Sequence, residues 1–214
     1  MRLELEELLC QKYPEIFRDR RADMPATAVR CGFDCGDGWF DLVDVLCAEI
    51  QRHAAEKGLN VVAEHAKEKY GQLRFSVFGD DKFVDGLVFV AGALSAGICE
   101  ECGKPAFIAG QGWMSTRCFE HRGPKLSEII LQQDSKRVFK LPTIENPRWQ
   151  RLAQVFEDVV DYDIRQNRMP RIYVDEIFET TRLEFRWHGG DKRGRAAAFF
   201  RLMEAYSERQ RPAE

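Results

Sequence analysis

Cys99-x2-Cys102 and Cys118-x2-His121 are two pairs of soft ligands with fifteen residues between them. A tetrahedral zinc takes four ligands, and each such pair can supply two from one tight turn. Whatever this chain folds into must therefore bring residues 99, 102, 118 and 121 to one point. The residues between allow it: 105–108, 109–112 and 113–117 read as a short hairpin with Gly110-Gln111-Gly112 in its turn. That is the layout of a zinc ribbon or a treble-clef pair of knuckles. Four protein ligands close the shell, whereas a catalytic zinc keeps one position for water, so the expected Zn2+ is structural. Base deaminases also hold zinc with Cys and His, but they place His-x-Glu ahead of Pro-Cys-x-x-Cys. Here Ala66 and Lys67 follow His65, and residue 98 is Ile. That reading fails.

A second constraint appears on laying the chain over itself at an offset of 110. Trp39, Leu42, Val45, Leu46 and Ile50 then fall on Trp149, Leu152, Val155, Phe156 and Val160. In both places they form one stripe of an amphipathic helix. Val61 and Val62 fall on Arg171 and Ile172. Leu73, Phe75 and Val77 fall on Leu183, Phe185 and Trp187, alternating with polar residues as a half-buried strand does. A Gly/Asp turn follows each strand, at 79–82 and 189–192, and then an apolar helix. The predicted fold class is α+β, with two helix-strand-strand-helix repeats forming a small sheet covered by helices and a zinc-ribbon-like segment inserted between them. One repeat alone cannot close a core, so the two are expected to share a four-stranded sheet in a pseudo-twofold domain. The predicted divisions are 1–98, 99–123, a connector at 124–148, and 149–214.

Local signals fill in the frame. Leu3, Leu8 and Leu9 suggest a first helix ending at Tyr13-Pro14, and 18–30 reads as irregular. Asn146 and Pro147 have the order of an N-cap and first helical residue. Residues 126–133 suit a short helix or strand, and 207–214 should fray. In Cys31-Gly-Phe-Asp-Cys35-Gly-Asp-Gly-Trp39 the plain reading is a turn in which Asp37 or Gly38 caps the next helix. A second zinc there lacks partners at paired spacing, and Asp34 and Asp37 lack the rest of a calcium loop.

Composition excludes several classes. The chain has 214 residues, a net charge of -3, 44% hydrophobic and 31% charged residues, as expected of a globular protein. No apolar run reaches membrane-spanning length, and the N-terminus does not read as a signal peptide. Seven cysteines, three of them at metal spacing together with His121, point away from a disulfide framework and toward a cytoplasmic protein. No segment is a basic arm, so a large electrostatic footprint for nucleic acid is absent. Local basic groups remain: Arg117, Arg122 and Lys125 beside the knuckles, and Arg186, Lys192, Arg193 and Arg195 around one glycine turn. Trp113, beside these groups, is a candidate exposed contact for a partner or nucleic acid, with packing of the ribbon onto the body as the favoured reading. Asp80, Asp81 and Asp191 follow the strands, but helix capping explains them more simply than a catalytic metal does. No nucleophile-base set or phosphate cradle is present.

Cys35-Gly-Asp-Gly-Trp39, Glu68-Lys-Tyr-Gly-Gln-Leu-Arg-Phe75 and Cys99-Glu-Glu-Cys-Gly103 through Cys118-x-x-His121 carry a resemblance. In these blocks the chain resembles a group of bacterial and phage-borne proteins with the same motifs in the same order, over roughly residues 10–122. The resemblance implies a prophage or mobile-element setting and a counter-defence or host-takeover role; it implies no activity. Taken together, the expectation is a non-enzymatic, zinc-stabilised protein that binds a protein partner. The alternatives are a nucleic-acid-binding module using the basic residues above, and a metal-dependent enzyme acting through the three aspartates.

Overall fold

The computed structural model describes residues 1–21, 33–110, 113–122 and 137–210. Helix α1 (Leu3–Lys12) leads through a short strand β1 (Phe33–Asp34) and a 3-10 turn (Asp37–Trp39) into α2 (Phe40–Lys57). Strands β2 (Val62–Lys69) and β3 (Gln72–Phe78) form a hairpin, closed by α3 (Lys82–Ser95). A second hairpin, β4 (Phe107–Ala109) and β5 (Ser115–Arg117), carries the metal-ligand segment. The last part runs in the order helix, strand, strand, helix: α4 (Pro147–Arg165), β6 (Ile172–Glu179), β7 (Leu183–Gly189) and α5 (Arg195–Arg209). The α+β class is as expected, and no helix among the described residues is long and apolar enough to cross a membrane.

Local chemistry accounts for the boundaries. All ten stripe residues, Trp39 just ahead of α2 and the nine on α2 and α4, are buried. Asp81 caps α3 by accepting from the Phe83 and Val84 amides, both at 3.0 Å. Asn146 caps α4 by accepting from the Arg148 amide, with Pro147 in the first turn. The β2–β3 turn needs two left-handed residues in succession, Tyr70 (φ 57°) and Gly71 (φ 75°), the signature of a two-residue hairpin turn.

The expected four-stranded sheet does not form. Among the described residues the strands make three separate sheets: β1-β2-β3, with β1 parallel to β2, then β4-β5, then β6-β7. The physical reason is at the strand edges. The outward amide of Leu73 in β3 donates to Ser95 Oγ of α3 at 2.8 Å, and that of Leu183 in β7 donates to Ser207 Oγ of α5 at 2.8 Å. Helix side chains thus take the place of a neighbouring strand. α3 and α5 pack against each other instead, α2 lies on both of them, and α4 lies chiefly on α3. One apolar core runs from Leu9 to Tyr206 through both halves.

Ser207 also corrects the expected fraying of 207–214: it is fully buried, and 211–214 lie outside the described residues. Ser207→Ala is expected to leave the Leu183 amide buried without an acceptor and to cost about 1–3 kcal/mol. Chemical denaturation of wild type and variant measures it, and equal stability would show that the Leu183 amide finds another acceptor.

Candidate metal centre

Cys99, Cys102, Cys118 and His121 converge: one ligand atom from each lies within 4.8 Å of every other. Cys102 Sγ is 3.7 Å from Cys118 Sγ, and His121 Nδ1 lies 3.2 Å from Cys118 Sγ and 3.5 Å from Cys99 Sγ. Two tight turns build this geometry. In the first, the Cys99 amide donates to the Lys104 carbonyl (2.8 Å) and the Gly103 amide returns to the Cys99 carbonyl (2.9 Å). Gly103 sits at φ 76°, a conformation glycine adopts without penalty. In the second, the His121 amide donates to the Cys118 carbonyl at 3.1 Å. The expected hairpin joins them, pairing Phe107 with Arg117 and Ala109 with Ser115. Its tip, 111–112, lies outside the described residues.

The electrostatics favour charge on one sulfur in particular. Burial opposes the Cys118 thiolate, but hydrogen bonds from the His121 amide and ring and from the neighbouring thiols outweigh it and bring the group down to about 7. Burial and the adjacent Cys99 push Cys102 up to about 12. A cation among the four sulfur and nitrogen atoms would displace the remaining thiol protons.

Docking of this lobe explains the Gly36-Asp37-Gly38-Trp39 motif. The Gly38 amide donates to the Glu100 carbonyl at 2.7 Å, and the Gly36 amide to Glu100 Oε1 at 3.0 Å. The Trp39 indole reaches the Ile98 carbonyl at 2.9 Å. A Cβ on Gly38 would stand 2.6 Å from Gly103 N and 2.7 Å from Cys102 N, and one on Gly36 would stand 2.7 Å from Glu100 Cγ. Both glycines are there because the knuckle backbone lies against them. Glu100 itself is buried, which pushes its carboxyl up against the opposing pull of the Gly36 amide and Arg117. Sequence reasoning missed Gly36, Gly38 and Glu100, although two glycines flanking one residue beside a tryptophan are a legible mark of close backbone approach. Elsewhere Thr116 Oγ1 donates to the Gly71 carbonyl, and Arg151 of α4 donates to the Ala106 carbonyl at 3.0 Å.

The remaining candidates separate into spent and exposed groups. Arg117 pairs with Glu100 and Glu101 inside the lobe. Arg122 lies over the Phe119 ring at 5.1 Å, and Lys125 lies outside the described residues. Arg195 is no surface group: it bridges Asp163 of α4 and Asp85 of α3. Arg186 pairs with Glu176, Lys192 lies over the Trp187 ring at 3.3 Å, and Arg193 is exposed. The loop 186–195 thus spends two of its four cations on carboxylates. Trp113, expected to be a packing residue, is 80% exposed, as is Phe119.

The other expectations fall as follows. Asp81 caps α3 and meets His53 Nε2 at 2.9 Å, and Asp191 caps α5 by accepting from the Arg195 and Ala196 amides. Asp37 does not cap α2; it holds the Arg2 amide and guanidinium, tying down the N-terminus. Cys35 is buried, with its thiol pushed up to about 12 chiefly by desolvation, and Cys31 and the 126–133 segment lie outside the described residues. No protein-family model matches the chain, and no curated protein or solved structure matches it either.

Proposed function

We propose that the chain is a zinc-stabilised, non-enzymatic binding protein of the cytoplasm, encoded by a phage or mobile element, that acts on a host or defence protein. Zinc is favoured by the ligand set and by its spacing. With Zn–S bonds of about 2.3 Å, a tetrahedron has edges of roughly 3.8 Å, close to the 3.7 Å between Cys102 and Cys118. With four protein ligands the ion has no position left for substrate, so its work is structural.

The observation that carries the binding reading is the exposure of Trp113 and Phe119, both 80% accessible, on a lobe otherwise fastened to the body. Exposed aromatic anchors on a rigid support are characteristic of protein interfaces. A nucleic-acid surface would keep its arginines free for phosphate, whereas Arg117, Arg186 and Arg195 are paired with carboxylates. Anisotropy titrations with labelled single- and double-stranded DNA and RNA are therefore expected to show no tight, salt-steep binding. Affinity that falls steeply with salt would replace this reading with the nucleic-acid one. Trp113→Ala with Phe119→Ala should leave stability within about 0.5 kcal/mol of wild type while removing partner proteins recovered by crosslinking from host cells. Unchanged recovery would move the interface elsewhere.

A further inference from the structure

The two halves treat the same strand edge differently. In the second half Ser207 Oγ accepts from the Leu183 amide and donates to the Glu204 carbonyl, and the Glu204 carboxylate accepts from the next outward amide, Phe185, at 3.0 Å. In the first half Ser95 Oγ accepts from Leu73 and donates to the Gly92 carbonyl. The serine contacts thus superpose Gly92 on Glu204 and Phe75 on Phe185. At Gly92 there is no side chain. The Phe75 amide, turned outward by the same strand alternation as Leu73, receives no side-chain acceptor among the described residues. What lies there is a groove of about 230 Å³ lined by Gln72, Arg74, Phe75, Asp85, Phe89 and Gly92.

We propose that this groove takes a glutamate side chain from a bound protein segment, its carboxylate accepting from the Phe75 amide as Glu204 accepts from Phe185. Charge supports the assignment. Arg74 stands in the strand position that Glu184 holds beside Glu204, so a cation replaces a like charge there, while Arg182 and Arg201, which also act on Glu204, correspond to Gln72 and Phe89. The nearest acidic group, Asp85, is held by Arg195 at 2.5 Å, a guanidinium it shares with Asp163. The groove is open, and its backbone donor lies on the edge strand of its sheet. The identity of the source as protein rests on the protein-binding reading above; the chemistry of the groove does not.

The test is an NMR titration of the full ¹⁵N-labelled, metal-loaded chain with the peptide Ac-Ala-Glu-Ala-NH2. The Phe75 amide should move downfield and saturate, while Phe185, already occupied, stays still. Ac-Ala-Gln-Ala-NH2 should bind about tenfold more weakly, the ratio expected when a charged acceptor is lost, and Arg74→Glu, a solvent-facing change, should weaken the glutamate peptide comparably. A stationary Phe75 amide, or equal response to the glutamine peptide, overturns the carboxylate site. Propionate binding as tightly as the peptide overturns the protein source in favour of a small acid. Because these shifts need neither Trp113 nor Phe119, failure here and failure of the aromatic interface are separately visible.

Discussion

Cys118→Ser is expected to bring bound zinc from about one ion per chain to nearly none, and to melt the 99–122 lobe while the helical body stays folded. Losing one of four ligands opens the shell, and a structural zinc supplies on the order of 10 kcal/mol to the segment that binds it. The lobe has little else. Its buried cluster consists of Cys99, Ala106 and Cys118, and its hairpin is three residues a side. The body has an independent core that reaches from α1 to α5. Metal analysis together with amide hydrogen exchange checks both halves of the expectation: protection should vanish over 99–122 and persist in α2, α3 and α5. A variant that keeps its zinc, or a lobe that stays protected without it, would remove the metal from the account of this fold. Chelation of the wild-type protein should reproduce the same local loss.

Gly38→Ala is the second large effect, and it needs no change to any ligand. The added methyl group must displace backbone on the facing knuckle, where the Cys99 carbonyl and the amides of Cys102 and Gly103 already fill the space. Backbone held by two ligand cysteines cannot yield as a long side chain would. We expect a loss of about 2–3 kcal/mol, at the upper end of overpacking costs, read by chemical denaturation. Its signature differs from that of Cys118→Ser: zinc should remain bound at stoichiometric excess, while the Trp39 indole loses its contact with the Ile98 carbonyl and its fluorescence shifts. An alanine variant as stable as wild type would mean that the lobe does not seat on the 36–39 turn.

Periodicity carried much of this molecule. The stripe from Trp39 to Ile50, and its counterpart from Trp149 to Val160, is buried throughout, because a single helix face is decided by spacing alone. The convergence of Cys99, Cys102, Cys118 and His121 was legible for a similar reason, since coordination demands it whatever the rest of the chain does. Spacing was silent where several partners of the same type compete. Asp37 has the sequence position of a helix cap, yet Arg2 claims it. Arg195 reads as one more cation in a basic loop, yet Asp163 and Asp85 draw it between helices. The separation of the sheets depended on Ser95 and Ser207, two small residues whose hydroxyls terminate strand edges. Nothing in a hydrophobic pattern distinguishes such a serine from one that faces water.

The crossed helix pairs, α2 on α5 and α4 on α3, set a timetable for biosynthesis. At translation rates of about 5–20 residues per second, the face of α2 that α5 covers waits on the order of ten seconds for its partner to leave the ribosome. The contacts that seat the knuckles on the turn at 36–39 lie wholly within the first half. Metal capture can therefore fasten the nascent first half at one end before the second half exists. A cell starved of the metal would hold that half-made chain unclasped and with the α5 side of its core bare, and chaperone demand should rise with each copy translated.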